Sequence, residues 1–281
     1  MESVLKWVGG KRQLLDELIP IIQPKLNGCN RYYEPFVGGG SVAFALEYKN
    51  TIINDLNSEL INVYKMIKEK PKFLTYLLTY LLTIHENNHY SNSNYFYEVR
   101  QIDRLNDYKD VSDVIKASRI IYLNKTCFNG LYRVNSKGFF NVPKGKQLSK
   151  VDIVMKDKIY NLSNYLKSNN VVIRNEDFRK CISDCRSGDV IYFDPPYDYE
   201  NCGFTSYVKD GFNKKDLLDL KNICDELIEK GCFVVLSNND TEYVRRLFSD
   251  SKYTIKEVLA KRSINSNGKN RFNAKEVIIY G

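Results

Sequence analysis

The sequence predicts an α/β fold with a mostly parallel, Rossmann-like sheet and an inserted, mainly helical lobe. Short apolar runs at 190–193 and 232–238 are rich in β-branched and aromatic residues, which is typical of strands buried on both faces of a parallel sheet. A glycine-rich turn at 38–41 stands between a strand pattern and a helix pattern, as in the opening unit of such a sheet. Residues 71–122 have helical periodicity instead and interrupt the strand–helix alternation.

The individual elements follow from periodicity and from glycine and proline punctuation. In chain order we expect a helix at 12–22, a strand at 31–37, a helix at 42–46, a strand at 51–55, helices at 58–68 and between 71 and 123, a hairpin at 132–142, strands at 170–174 and 190–193, a helix at 213–230, a strand at 232–238, a helix at 240–248, and a closing hairpin of strands at 253–259 and 276–280. The loop at 199–212 is a candidate lid, and 261–271 is a basic flap. Residues 1–60 and 166–281 are expected to form one domain, and 61–165 the inserted lobe.

The bulk composition narrows the class of protein. The 281 residues are 43% apolar, enough for a packed core, and the net charge of +8 suits an anionic partner such as nucleic acid. The seven cysteines are scattered and lack a zinc-knuckle spacing, and the N-terminus has no apolar signal core, so we expect reduced thiols and a cytoplasmic protein. No window approaches a membrane span.

The motif Asp194-Pro195-Pro196-Tyr197 directly follows the strand at 190–193. Neither proline can donate to a strand ladder, so the strand ends there, and a carboxylate and an aromatic ring stand at its carboxyl end. Open α/β sheets bind their ligands at that end. A proline-rich turn without further role is the alternative.

Two earlier stretches are further candidates for ligand contacts. The N-terminal turn holds Trp7 and Lys11 beside two glycines, and it is either a ligand platform or only the start of the first helix. Asp55 ends the second strand, where an acid can accept hydrogen bonds from the hydroxyls of a ribose. Alternatively, Asp55 caps the next helix, although Asn57 and Ser58 can also do so.

Segment 124–146 combines basic and aromatic residues around a predicted hairpin. An arginine such as Arg133 can bind guanine through two hydrogen bonds, and aromatic or apolar tips can wedge between base pairs. An ordinary hairpin with a solvated basic face is the alternative. His85 and His89 have helical metal-ligand spacing, but no third ligand is evident, so we expect no metal site.

Five pieces stand in one order along nearly the whole chain: 5–11, 34–40, Asn54-Asp55, 129–145 and 194–197. Together they resemble the Dam-like family of DNA adenine-N6 methyltransferases (D12 class), and the hairpin is most similar to that of enzymes acting on GATC. The resemblance implies a class I methyltransferase sheet of seven strands with a reversed edge hairpin. It also implies that the lobe recognises the DNA target.

The resemblance further implies the roles of single residues. Contacts to S-adenosylmethionine are expected from Trp7, Lys11, Glu34, Phe36, Gly38, Gly40, Asp55, Asp177, Phe178 and Asp194. Contacts to DNA are expected from Lys6, Phe128, Asn129, Leu131, Arg133 and Pro143. The catalytic motif is Asp194, Pro195, Pro196 and Tyr197. Residues 144–146 depart from what many relatives carry after the proline.

The expected reaction moves a methyl group from S-adenosylmethionine to adenine N6 in double-stranded DNA, within GATC, after the base has been flipped out of the helix. Asp194 and the Pro195 carbonyl would each accept one N–H bond of the adenine amino group, and Tyr197 would stack on the base. A cognate restriction endonuclease encoded nearby is a candidate partner. Alternatives are a different DNA target, an RNA or protein-glutamine amino-methyltransferase, a catalytically inactive DNA-binding protein, and a nucleotide-dependent enzyme of another class.

Overall fold

One seven-stranded sheet organises the computed structural model, which describes residues 1–89, 95–145, 152–197, 212–260 and 274–281. The strands are β1 (Tyr32–Glu34), β2 (Thr51–Asn54), β3 (Val172–Arg174), β4 (Val190–Phe193), β5 (Phe233–Asn239), β6 (Thr254–Ala260) and β7 (Ala274–Tyr280). The helices are α1 (Leu15–Ile22), α2 (Ser41–Leu46), α3 (Ser58–Glu69), α4 (Pro71–His89), α5 (Tyr95–Gln101), α6 (Asp113–Thr126), α7 (Lys156–Ser168), α8 (Phe178–Cys181), α9 (Lys214–Glu229) and α10 (Glu242–Leu247).

The strand order is β3-β2-β1-β4-β5-β7-β6, and β7 alone runs opposite to the other six strands. This confirms the predicted class I methyltransferase type of sheet, with its reversed strand pair near one edge. The chain moves outward from β1 to β2 and β3 and then returns to place β4 on the other side of β1. The crevice between the carboxyl ends of β1 and β4 is therefore the topological switch point, where sheets of this kind bind ligands.

Several elements differ in extent from the expected ones, for local reasons. The strand predicted at 31–37 covers only Tyr32–Glu34, because Pro35 cannot donate to the ladder and the glycine turn follows. The strand predicted from residue 170 starts at Val172, since Asn170 has a φ of +52° and lies outside the β region. The first helix opens as a 3₁₀ turn, Lys11–Leu14.

The predicted recognition hairpin is present without regular strands. Its two arms meet at the isolated bridges Val134–Phe140 and Cys127–Lys144. Asn135 closes the turn, since its backbone N–H bonds to the Phe139 carbonyl at 2.9 Å. The predicted flap and nearly all of the predicted lid lie outside the described residues, and Phe212 is the one lid residue that the structure describes.

The two faces of the sheet support two cores, because neighbouring strand residues point to opposite faces. Tyr33 belongs to the smaller core with α8, α9 and α10. Tyr32 belongs to the larger one, which continues without a break into the helices of the lobe. The predicted boundaries near residues 60 and 165 fall inside α3 and α7, and the division into two domains stays a prediction. No helix in the described ranges is long and apolar enough to span a bilayer.

Candidate active site

Asp194 lies at the switch point, directly after β4, and forms an ion pair with Lys11. The Lys11 ammonium is 2.8 Å from its Oδ1 atom, and the Lys11 side chain is only 6% exposed. Burial raises the pKa of Asp194 to about 6, although Lys11 lowers it, and the charge of Glu276 raises it further. With a pKa of about 6 the group is mostly ionised at pH 7, and the carboxylate can then accept hydrogen bonds.

Lys11 and Tyr197 close one side of this carboxylate. The Lys11 ammonium lies 4.4 Å from the centre of the Tyr197 ring and also donates to the Gly9 carbonyl at 2.7 Å. The Tyr197 phenol donates to Glu276 Oε2 at 2.7 Å. Glu276 belongs to β7 and was not among the predicted site residues. The one sequence signal for it is an acid at the head of the apolar run Val277-Ile278-Ile279.

Glu34 ends β1 beside Asp194, on the same face of the sheet as Tyr32. Its Oε1 atom accepts a hydrogen bond from the Tyr32 phenol at 2.6 Å. Burial raises the pKa of Glu34 to about 8, with the Asp194 charge adding to the rise. A carboxyl that favours its neutral form adds little repulsion to the Asp194 charge. A cofactor contact by Glu34 stays a prediction.

The glycine loop between β1 and α2 is ordered by Asp55. Its Oδ2 atom accepts the Gly38 N–H at 3.0 Å and its Oδ1 atom the Asn57 N–H at 2.9 Å. Asn57, rather than Asp55, caps α3 by accepting the Leu60 N–H. The φ of Gly38 is +47°, and a Cβ atom there would lie 3.0 Å from Cδ1 of Trp7, so the loop and the N-terminal turn approach closely only through glycine.

An aromatic group stands next to this loop. Phe36 packs against Phe178, with ring centres 5.1 Å apart, and against Phe212 at 5.9 Å. Asp177, expected to hold the cofactor with Phe178, uses its carboxylate to cap α8 and to pair with Arg179. The structure thus brings Phe36 and Phe178 together, while the predicted role of Asp177 stays a prediction.

The N-terminal turn is tied to the recognition hairpin by contacts that the sequence did not suggest. The Trp7 ring stacks on Tyr132 with centres 5.1 Å apart. The buried Asn124 amide accepts the Lys6 N–H at 2.9 Å and donates to the carbonyls of Lys6 and Gly130 at 2.7 and 2.9 Å. Lys6 and the hairpin, both predicted to contact DNA, are therefore held in one arrangement.

The hairpin is anchored to the lobe on one side and exposed on the other. Next to the turn, the Phe140 N–H bonds to Asp103 and its carbonyl accepts from Arg104, both at 2.8 Å. One residue pair further from the turn, the Arg133 side chain is exposed and bonds to Asn141 through Nε at 2.7 Å. The other exposed side chains that were predicted to contact DNA are Phe128, Asn129 and Pro143, with Leu131 half-buried. An anchored hairpin with exposed polar and apolar side chains suits insertion into a groove.

The fold and the site together define a class of protein. A mostly parallel seven-stranded sheet has its carboxylate at the switch point and a glycine loop held by an acid from the next strand, as in an α/β enzyme of the class I methyltransferase type. Within the described ranges, no group of three or more His, Cys, Asp or Glu residues is placed to hold a metal ion.

Comparison with known proteins gives the family. A model of the D12 class N6 adenine-specific DNA methyltransferases matches residues 7–264. The chain is 39% identical over 277 residues to type II methyltransferase M1.LlaDCHI of Lactococcus lactis subsp. cremoris, covering 98% of this chain and 93% of that protein. It is 38% identical over 285 residues to type II methyltransferase M.MjaIII of Methanocaldococcus jannaschii, covering 96% and 95%. It is 31% identical over 279 residues to a DNA adenine methylase of Serratia marcescens, covering 98% and 97%.

The chain therefore belongs to the D12 class of N6 adenine-specific DNA methyltransferases, which confirms the resemblance found in its motifs. It is an enzyme, an adenine-specific DNA methyltransferase.

Proposed function

We propose that this enzyme transfers the methyl group of S-adenosylmethionine to N6 of an adenine in double-stranded DNA, within GATC, after the base has been flipped out of the duplex. The observation that carries the proposal is the Asp194 carboxylate, 18% exposed, which stands at the switch point beside the Tyr197 ring. The expected contacts to the cofactor, the DNA and the base are part of this proposal.

The residues around the glycine loop fit S-adenosylmethionine. Each Asp55 oxygen accepts one backbone N–H and keeps a lone pair, so the carboxylate can also accept the two hydroxyls of a ribose. Phe36 and Phe178 offer an apolar wall for an adenine ring. When bound, the cofactor supplies an electrophilic methyl group carried on a sulfonium.

The residues of the catalytic motif would activate the adenine amino group. Its nitrogen is a poor nucleophile because the lone pair is delocalised into the ring. Asp194 and the Pro195 carbonyl would each accept one of its N–H bonds, which turns the lone pair toward the methyl group and stabilises the positive charge that develops. Tyr197 would hold the base by stacking, and alignment of the two reacting atoms contributes much of the rest.

The Lys11 ammonium stands where such a base must enter. It lies next to both Asp194 Oδ1 and the Tyr197 ring, which are the two groups that the base would contact. We infer that the entering amino group takes the place of the Lys11 ammonium beside Asp194 Oδ1. Until the base binds, the positive charge of Lys11 balances the negative charge of the Asp194 carboxylate.

The substrate assignment is supported by the lobe. An adenine inside a duplex cannot reach Asp194, so it must leave the stack. The exposed Arg133 guanidinium can read a guanine edge, and the Phe128 side chain, 44% exposed, can fill the space that the base leaves. We assign residues 61–165 to target recognition on this basis.

The cellular setting is also proposed. Two relatives bear the name type II methyltransferase, and we propose that a cognate restriction endonuclease is encoded near this chain. The six cysteines in the described part of the chain are free thiols, which supports a reducing compartment such as the cytoplasm.

The test is to sequence the methylated adenines in DNA from cells that express this chain. We expect N6-methyladenine at GATC and at no other tetranucleotide. A different methylated motif would overturn the GATC assignment, and methylation of RNA or protein with none in DNA would overturn the substrate class. An Asp194→Ala chain serves as the negative control.

A further inference from the structure

Glu276 is a buried carboxylate that no step of the proposed reaction uses. It lies in β7 between β5 and β6, with 7% of its side chain exposed, and its Oε2 atom accepts a 2.7 Å hydrogen bond from the Tyr197 phenol. The two residues are 79 positions apart in sequence. The bond therefore joins the catalytic motif to the antiparallel strand of the sheet.

The fold alone does not call for an acid at this place. Burying a carboxylate costs free energy unless the group is hydrogen-bonded, and an apolar residue would suit a strand whose next residues are Val277, Ile278 and Ile279. A bond from a phenol to a carboxylate is charge-assisted and so among the stronger ones. Its partner is the one ring of the motif, which points to a role in the active site.

The ring depends on this bond for its orientation. Tyr197 follows two prolines that end β4, so it has no place in the strand ladder. In the described part of the chain, the polar contact of the phenol is to Glu276, and the face of the ring meets Lys11. Both χ angles of a tyrosine are fixed once its hydroxyl and one face are held.

We propose that Glu276 is a positioning residue for methyl transfer: its hydrogen bond to the phenol holds the Tyr197 ring in the plane against which the target base stacks. This inference rests on the proposed function of Tyr197. Glu276 itself touches neither the base nor the methyl group, so its loss lowers the rate of the chemical step more than the binding of DNA or cofactor.

The experiment compares single-turnover methylation by wild type, Glu276→Ala, Glu276→Gln, Tyr197→Phe and the Glu276→Ala/Tyr197→Phe double variant. We expect Glu276→Ala and Tyr197→Phe each to lower the single-turnover rate about tenfold, which corresponds to a hydrogen bond to a charged group. The double variant should be no slower than the slower single one, because both remove the same bond. Glu276→Gln keeps an acceptor oxygen and should stay within about threefold of wild type.

A second readout follows the base itself. A duplex with 2-aminopurine at the target position reports how firmly the extrahelical base is held, through its fluorescence lifetimes. We expect a larger long-lifetime fraction with Glu276→Ala than with wild type or Glu276→Gln. Glu257→Gln is the matched control: it changes an acid on the neighbouring strand β6 whose side chain is 60% exposed, and it should behave as wild type.

The outcomes separate the two proposals. Wild-type protein without activity on any duplex would refute the proposed function and not the contact. With active wild type, the positioning role is overturned by a Glu276→Ala variant with a normal single-turnover rate and normal lifetimes, by multiplicative losses in the double variant, or by a Glu276→Gln variant as slow as Glu276→Ala. If Glu276→Ala does not fold, Tyr197→Phe and Glu276→Gln decide together: a normal rate of Tyr197→Phe overturns the role, and a tenfold loss in Tyr197→Phe beside a fast Glu276→Gln supports it.

Discussion

At the scale of single residues, Asp194 is the group on which the proposed chemistry depends most directly. We expect Asp194→Ala to lower the single-turnover rate of methyl transfer by at least ~10²–10³-fold, as the loss of one preorganised charge-stabilising group does in other enzymes. Binding of a GATC duplex, measured by fluorescence anisotropy, should persist, because the hairpin is untouched. Glu229→Ala, an acid 72% exposed on α9, should leave the rate unchanged. Near-normal turnover of Asp194→Ala would remove Asp194 from the mechanism.

The pKa of Asp194 predicts the acid limb of the pH profile. The ionised form accepts the amino N–H, and burial raises its pKa to about 6, so kcat/KM should fall as the pH drops through 6. Lys11 lowers that pKa, and removing its charge raises it. Lys11→Met should therefore move the midpoint to higher pH as well as lower the plateau, whereas Lys158→Met, outside the site, should do neither. A midpoint that stays in place in Lys11→Met contradicts this coupling.

Local sequence motifs predicted some of the site residues and missed others. The roles predicted for Asp194 and Gly38 came from short local motifs, and the structure places both at the expected crevice. Glu276 and Tyr132 could not be predicted as partners of Tyr197 and Trp7, because such contacts join residues far apart in sequence and depend on how strands and lobe pack. A local pattern specifies an element and its end, and the packing then decides which ends meet.

At the scale of elements, the β1–α2 turn requires glycine for steric reasons that can be isolated. Gly40 and Gly28 both have positive φ, +69° and +78°, but a Cβ atom on Gly40 would lie 2.2 Å from the Phe44 ring, while one on Gly28 meets nothing within 4 Å. Gly28→Ala should cost about 1 kcal/mol of unfolding free energy from backbone strain alone. Gly40→Ala should cost about 1–3 kcal/mol more through overpacking.

Urea denaturation of both variants measures the difference in unfolding free energy, and titration with S-adenosylmethionine shows whether the displaced loop still binds it. Equal losses in the two variants would mean that the Phe44 ring moves aside at little cost. A weaker cofactor affinity is expected for Gly40→Ala only.

The recognition hairpin yields a prediction about specificity. Asp103 and Arg104 hold its backbone at Phe140, so a substitution of the exposed Arg133 side chain should act on DNA and not on the fold. We expect Arg133→Ala to lose about 1–3 kcal/mol of discrimination at one base pair of the target, seen as kcat/KM on duplexes altered one base pair at a time. Lys137→Ala, in the exposed turn, should weaken binding to all of these duplexes by the same factor. Unchanged discrimination in Arg133→Ala would exclude the hairpin as the reader of that base pair.

At the scale of the whole molecule, the larger core joins the sheet to the lobe. Helices α3 and α7 each cross a predicted boundary, and the buried residues Tyr32 of the sheet and Leu78 of α4 belong to one continuous cluster. Because the lobe shares its hydrophobic core with the sheet, it cannot unfold before the sheet does. We therefore predict one cooperative unfolding transition for the full chain, with a calorimetric enthalpy close to the van't Hoff enthalpy.

Two core substitutions test this on opposite sides of the molecule. Leu78→Ala in the lobe and Leu227→Ala in α9, under the other face of the sheet, each truncate a fully buried leucine and should cost about 2–5 kcal/mol. If the chain unfolds as one unit, both should shift the whole calorimetric peak downward, and the fluorescence of Trp7, the only tryptophan, should follow the same midpoint as circular dichroism. A second peak that moves with Leu78→Ala but not with Leu227→Ala would instead establish the lobe as an independent domain, because only a separate core can melt without the other.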